Sequence, residues 1–157
     1  RQSESRSEQF IDNANAIIVG VDLRGSITLW NQKAQGVFGY TEQEVLGRSV
    51  FELFCADREQ YRKAHQYFQT AIAEKKPLAE FEICMRDVHD ETRHVVWNTN
   101  FLTSGQGAVL GLYGIGQDIT HRKHLEHQLS ASEKRYRTLV ESTHDLYWTI
   151  RITDAGP

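Results

Sequence analysis

The sequence predicts an α+β fold, a five-stranded antiparallel sheet with helices packed on one face, followed by a long C-terminal helix. Three observations carry that prediction. Ala16 to Asn31, AIIVGVDLRGSITLWN, holds two short apolar runs joined by a tight Leu-Arg-Gly turn. Three longer runs of strand character follow Pro77, with Gly105 and Gly107 marking the turn between the last two. From His121 to Leu146 the chain is charged and contains neither Gly nor Pro, the composition of one continuous helix.

Each element has a local reason. Residues 1–15 are polar and form a leading segment in which Ser7 and Glu8 begin a short helix carrying Phe10 and Ile11. Ala16 to Val21 and Ile27 to Trp30 are strands, and Gly25 supplies the positive φ that their tight hairpin needs. Asn31 caps a helix from Gln32 to Phe38. Thr41 caps a second, with Glu44 three residues on completing a capping box. Asp57 to Lys75 is a longer helix whose Tyr61, His65, Phe68 and Ile72 recur at 4-3-4 spacing and share one face; Pro77 ends it. The strands Leu78 to Arg86, Arg93 to Thr103 and Ala108 to Gln117 complete the sheet. On the middle one, Asn98, Asn100 and Leu102 point one way while Val95, Trp97, Thr99 and Phe101 point the other. The expected assignment gives the asparagine face to a pocket. It gives the apolar row of Val95, Trp97 and Phe101 to the outer face, where Phe10 and Ile11 would cover it in a dimer.

Composition bounds the function. A chain of 157 residues has room for one domain with a sizeable core plus further material. Its net charge is −3, with basic and acidic residues interleaved, which disfavours nucleic-acid binding. No apolar run reaches membrane-spanning length and no signal peptide opens the chain, so a cytoplasmic location is expected, with a parent protein free to be membrane-anchored. Cys55 and Cys84 are widely spaced and read as reduced, buried thiols. His121, His124 and His127 drift round a helix at i, i+3 steps and read as a solvated face, so no metal site is expected. No nucleotide-binding glycine loop or nucleophile elbow is present, and no catalytic residue is assigned.

The opening hairpin, the Gly39-Tyr40-Thr41-Glu42…Val45-Leu46-Gly47 corner and the closing Gly114-Ile115-Gly116-Gln117-Asp118-Ile119-Thr120 together resemble a PAS sensory domain over residues 16–120. Residues 121–143 then form a helical linker. Within it Leu125, Leu129, Ser132, Tyr136, Leu139 and Thr143 step by 4-3-4-3-4, a coiled-coil seam suited to a parallel homodimer. Phe10 to Ile18 matches Leu139 to Tyr147 at a constant offset, so residues 144–157 read as the start of a second such domain, with Leu146 to Ile152 alternating like a strand. The sequence, which opens on Arg, is thus read as a segment of a longer protein. This tandem arrangement resembles the input region of bacterial sensor histidine kinases and diguanylate cyclases. The resemblance implies a non-catalytic input module of a two-component or related signalling protein, with a kinase or cyclase domain downstream.

The resemblance also implies a pocket and a relay. Leu29, Tyr61, His65, Phe68, Ile72, Phe81, Ile83, Asn100 and Leu102 are the expected pocket lining. Asp118, Ile119 and Thr120 are the expected relay from sheet to linker helix, because Asp118 or Thr120 can cap that helix. Arg62 and His65 match the Arg-x-x-His of haem-binding relatives, which makes His65 a candidate haem ligand; the alternative is a histidine satisfied at the edge of a core. Light-sensing relatives carry Asn-Cys-Arg after the Gly-Arg of the corner. Here Gly47-Arg48 leads into Ser49-Val50-Phe51, and Cys55 is off the adduct position, leaving only non-covalent flavin binding. A small metabolite or no ligand at all is expected ahead of haem or flavin.

Overall fold

The computed structural model describes residues 2–154, with side chains through residue 143. The elements are α1 (Gln2–Asn13), β1 (Ile17–Asp22), β2 (Ile27–Trp30), α2 (Gln32–Phe38), α3 (Glu42–Val45), α4 (Val50–Phe54), α5 (Arg58–Glu74), β3 (Phe81–Arg86), β4 (Thr92–Thr103), β5 (Val109–Asp118) and α6 (Thr120–Asp154). The five strands form one sheet in the order β2-β1-β5-β4-β3, and every neighbouring pair is antiparallel. Residues 1–120 and residues 121–157 are separate compact units.

The capping chemistry sets the helix boundaries. Asn31 is almost fully buried and all its polar capacity is used. Its Oδ1 accepts from the N–H groups of Ile18 and Ala34, both at 3.0 Å, and its Nδ2 donates to the carbonyls of Ile11 and Ala16, both at 2.9 Å. One side chain thus starts α2 and ties the end of α1 to β1. The Glu44 carboxylate accepts from the Thr41 N–H at 2.8 Å and from its hydroxyl at 3.0 Å. Asp57 starts α5 by accepting from the Gln60 N–H at 2.8 Å, and Lys75 ends it in the left-handed region at φ 50°. The five-residue helix α4 has no counterpart among the sequence expectations; Ser49 caps it.

The core lies between the helices and one face of the sheet. Trp30, Phe38 and Phe54 form its aromatic centre, with ring centroids 4.9 to 5.6 Å apart, and Trp30 Nε1 donates to the Tyr40 carbonyl at 2.9 Å. On β4 the alternation is as expected but the faces are reversed. Val95 (0% exposed) and Trp97 (8%) point into the core, while Asn98, Asn100 and Leu102 are exposed. Burial of the larger apolar area decides that choice, since an indole inside stabilises far more than an amide. Val95 and Trp97 are therefore unavailable as an outer dimer surface, and half-buried Phe101 shares their side of the strand. Leu29 is also on the outer side. It pairs with Gly20, and a bulge between Gly20 and Val21 puts both Ile27 and Trp30 inside, three residues apart.

In the second unit, α6 continues through Leu146–Ile152, which the sequence marks as a strand. A strand needs a neighbour to pair with, whereas a helix satisfies its backbone locally. Ala155, Gly156 and Pro157, the end of the internal repeat, lie outside the described residues. Leu125, Leu129, Tyr136 and Leu139 of the heptad seam are 51% to 71% exposed.

Candidate functional site

A cavity of about 130 Å³ lies between the inner face of the sheet and the helices α4 and α5. The sheet wall is Val19 and Val21 of β1, Phe81, Ile83 and Met85 of β3, Trp97 and Thr99 of β4, and Leu112 and Gly114 of β5. The helical wall is Val50, Phe51 and Phe54, then Cys55, then Ala64 and Phe68. Two glycines make the sheet wall possible. A Cβ on Gly114 or Gly116 would come within 2.9 and 2.8 Å of the Trp97 indole, so the bare β5 backbone is what lets the ring lie against it. Trp97 Nε1 then donates to Met85 Sδ at 3.3 Å.

The lining carries almost no polar chemistry. The Thr99 hydroxyl is used locally, accepting from the Leu78 N–H at 2.8 Å and donating to the Leu78 carbonyl at 3.3 Å. Burial, and secondarily the negative charge of Asp57, pushes the Cys55 thiol up, so it stays protonated. Such a surface holds apolar matter through contact and shape rather than through charge.

Of the residues expected at the pocket, Phe68, Phe81 and Ile83 line this cavity. Tyr61 and His65 share a face with Phe68 and pack on Phe51, at 6.0 and 5.2 Å between ring centroids, but they stand outside the cavity. Tyr61 stacks on His65 at 5.8 Å, and both flank a surface depression with Arg58, Arg62, Gln66 and Gln69. Ile72 is half-buried and does not reach the cavity. Leu29, Asn100 and Leu102 are on the opposite side of the sheet, and Asn100 Oδ1 accepts from the neighbouring Phe101 N–H at 2.8 Å. The expectation missed Ala64, which is 8% exposed; a helix can approach a sheet closely only where its facing residues are small, and that was the available signal.

The residues present fit neither haem nor flavin. His65 stands behind Phe51 at the surface depression and does not line the cavity, and no charged side chain lines the cavity to meet a propionate or a phosphate. An apolar cavity of roughly 150 Å³ holds a benzene-sized molecule, and a porphyrin or an isoalloxazine is larger than that. Among the described residues, no group of three His, Cys, Asp or Glu is placed to hold a metal ion.

A second, polar arrangement stands where β5 ends. Asp118 Oδ1 accepts from the Thr120 N–H at 2.9 Å and from the Thr120 hydroxyl. The same hydroxyl accepts from the His94 N–H at 2.9 Å, and the Ile119 N–H donates to the His94 carbonyl at 2.8 Å. Ile119 is 3% exposed. Arg93 reaches Asp118 at 3.8 Å and Asp87 at 3.0 Å. Asp87 is buried in the β3–β4 turn. Burial alone would raise its carboxyl, but donors from Glu91, Arg93 and His89 outweigh that and hold it below the usual carboxylate range. The turn is in turn fixed to α2, since the Val88 N–H donates to the Phe38 carbonyl at 2.8 Å. The start of β4 and the end of β5 are thereby tied together through paired polar groups.

The model of the PAS fold matches residues 5–119. The chain belongs to the PAS family and contains a PAS sensory domain. It is 26% identical over 140 residues to Phytochrome 2 of Ceratodon purpureus, covering 88% of this chain and 12% of that protein. It thus spans about an eighth of that relative's length. The PAS domain of a protein from Colwellia psychrerythraea superposes with a TM-score of 0.67 at 21% identity, over 77% of this chain and 99% of that one. The PAS domain of the quorum-sensing receptor RpfR of Cronobacter turicensis, solved in complex with C12:0, superposes with a TM-score of 0.59 at 24% identity, over 70% of this chain and 99% of that one.

Proposed function

We propose that this PAS domain senses a small apolar molecule held in the cavity. Its occupancy is passed along β4 to Asp118, Ile119 and Thr120, and from there to the helix they begin. The cavity carries this reading. Protein interiors close upon themselves, and a partly open space of about 130 Å³ leaves an almost wholly apolar lining in contact with solvent, which costs free energy. A bound apolar molecule offsets that cost. The RpfR PAS domain, similar in fold, is solved in complex with C12:0.

The output side rests on α6. Its exposed seam of Leu125, Leu129, Tyr136 and Leu139 suits a second copy, so the functional state is a parallel homodimer. The downstream domain of the parent is a sensor histidine kinase or a diguanylate cyclase, the class whose input region the internal repeat in the sequence resembles. Two unpaired cysteines suit a cytoplasmic setting. Among the described residues no helix is long and apolar enough to cross a membrane.

Titration with toluene, read by amide and methyl NMR shifts, tests the sensing step. Saturable shifts at Val21, Phe54 and Trp97 are expected, and Ala64→Leu, which fills the space, should abolish them. No saturable shift up to the solubility limit would overturn the reading. Light scattering tests the dimer: the chain should run as a dimer and Leu129→Lys as a monomer, and a monomeric wild type at high concentration would contradict it.

A further inference from the structure

The two edges of the sheet are finished differently. At the β2 edge the chain covers its own backbone: the Ile27 N–H donates to the Arg48 carbonyl at 2.9 Å, and the Ile27 carbonyl accepts from the Gly47 N–H at 2.8 Å. β3 ends the other side, and among the described residues no strand lies beyond it. Its pairing with β4 runs over Phe81–Arg86 without a bulge or a proline, two devices that blunt an edge. The ladder tells which groups face out. The Asp87 N–H donates to the Glu91 carbonyl, and the His94 carbonyl is taken on the β5 side by the Ile119 N–H. By alternation, the bonds to β4 fall on Phe81, Ile83 and Met85, while the N–H and C=O of Glu82, Cys84 and Arg86 are directed away from the sheet. Among the described residues no turn or loop bonds to the backbone of Cys84 or Arg86.

We infer that β3 pairs antiparallel with β3 of a second copy of this chain, about a two-fold axis at Cys84. The inference rests on the reading that the α6 seam makes a homodimer. In this register Cys84 stands opposite the partner's Cys84, Glu82 opposite the partner's Arg86, and Arg86 opposite the partner's Glu82. All three are pairs that exchange both N–H···O bonds. Glu82, Cys84 and Arg86 share the outer face, so each carboxylate meets a guanidinium directly across the two strands. Arg86 already meets Asp90 at 2.7 Å through one nitrogen, and a guanidinium has donors for a second carboxylate. Other registers are worse. Centring on Glu82 or on Arg86 sets like charges face to face. Sliding by one residue about the axis brings Glu80, at φ 49°, or Val88 opposite a charged residue, and both lie outside the strand. An unrelated strand would gain the backbone bonds alone, whereas the charge order of β3 is its own complement, which selects a second copy as the occupant. Two six-residue strands bury less than the roughly 1,200 Å² of a stable interface, so the contact needs copies already held together, which the α6 seam provides. Phe81, Ile83 and Met85 of the same strand line the cavity, so the pairing braces one of its walls.

Amide exchange in the full chain, at a concentration where it is a dimer, tests this. The amides of Cys84 and Arg86 should exchange about tenfold more slowly than in Leu129→Lys at the same concentration, while those of Ile83 and Met85, bonded to β4, should be alike in both. Glu82→Arg should restore fast exchange at Cys84 and Arg86 while light scattering still shows a dimer, because like charges then face each other across the pair. Adding Arg86→Glu to Glu82→Arg should bring the slow rates back. Diamide gives a second reading in Cys55→Ser, whose one remaining thiol is Cys84. Opposed residues of such a pair stand about 5.5 Å apart between Cα atoms, within the range of a disulfide. The two Cys84 thiols should therefore join, their two protons and two electrons reducing the azo bond of diamide to a hydrazine. This covalent dimer should form several-fold faster in Cys55→Ser than when Glu82→Arg is added. Equal exchange at Cys84 and Arg86 in wild type and Leu129→Lys, an effect of Glu82→Arg that the double variant does not reverse, or equal cross-linking rates would overturn the edge pairing and leave the seam reading standing. A monomeric wild type would instead remove the seam reading, and this inference with it.

Discussion

The cavity wall and the Asp118 junction sit on the same strand and are built from opposite materials. Around the cavity, Trp97, Phe54, Phe68 and their neighbours hold one another by apolar contact, and 130 Å³ is left unfilled. At the junction, Asp118, Thr120, His94, Arg93 and Asp87 leave no such slack, and each bond there has a defined partner. Non-directional packing tolerates a change of contents, whereas a network of paired polar groups has few alternative arrangements. Trp97 and His94 are three residues apart on β4, roughly 10 Å at strand spacing. A displacement taken up softly at one end of the strand therefore meets a stiff, directional contact at the other. That contrast is what suits the domain to turning occupancy into a change of helix geometry.

The comparison can be broken from either end. Trp97→Ala should have the largest effect, about 3–5 kcal/mol of lost stability in chemical denaturation, because it removes a buried indole and enlarges the cavity. A loss under 1 kcal/mol would mean that β4 does not hold the wall. Asp87→Ala should cost about 2–3 kcal/mol by leaving two backbone donors unpaired and taking from Arg93 its shortest carboxylate contact. It should also alter the pH profile. The folded-state carboxyl is lowered from its usual 3.8, so its stabilisation is present above about pH 4 and is lost as pH falls through the folded value. The wild type should therefore lose more stability than Asp87→Ala does between pH 5 and pH 2; parallel profiles would contradict the assignment.

Smaller effects sharpen the contrast. Asp118→Ala should cost about 1 kcal/mol, the scale of a lost cap, while leaving toluene binding intact. Equal loss of both would mean that cavity and junction are one structural unit. Cys55 should react with iodoacetamide at neutral pH more slowly than free glutathione, measured by mass spectrometry of the labelled peptide, because burial keeps the thiol protonated. Saturation with toluene should slow it further, and labelling at the glutathione rate would place Cys55 outside the cavity wall.

The two regions were also legible in the sequence to different degrees, for physical reasons. Capping is local, so Asn31 and Thr41 with Glu44 announced their helices, whereas Asp57, read as the first residue of α5, is its cap; the closing Asp118-Ile119-Thr120 stands where β5 gives way to α6. Strand alternation fixes which residues share a face but not which face is inside. Asn98 and Asn100 looked like ligand contacts, yet burying Val95 and Trp97 outweighed them. On β2 a bulge shifted the phase, which no count of alternating residues reveals. On α5 the large side chains Tyr61 and His65 drew the eye, whereas Ala64, beside Phe68, is what brings the helix close enough to form a wall.

Hydrogen exchange at the junction, with and without a filled cavity, tests the central claim most directly. At saturating toluene, the amides of His94, Ile119 and Thr120, which are bonded across the junction, should exchange measurably more slowly, and Ala64→Leu should show the slow rates without any ligand. If Trp97 and Phe54 report full occupancy while those three amides exchange at their ligand-free rates, the cavity is not coupled to the helix and the account of this domain as a sensor fails.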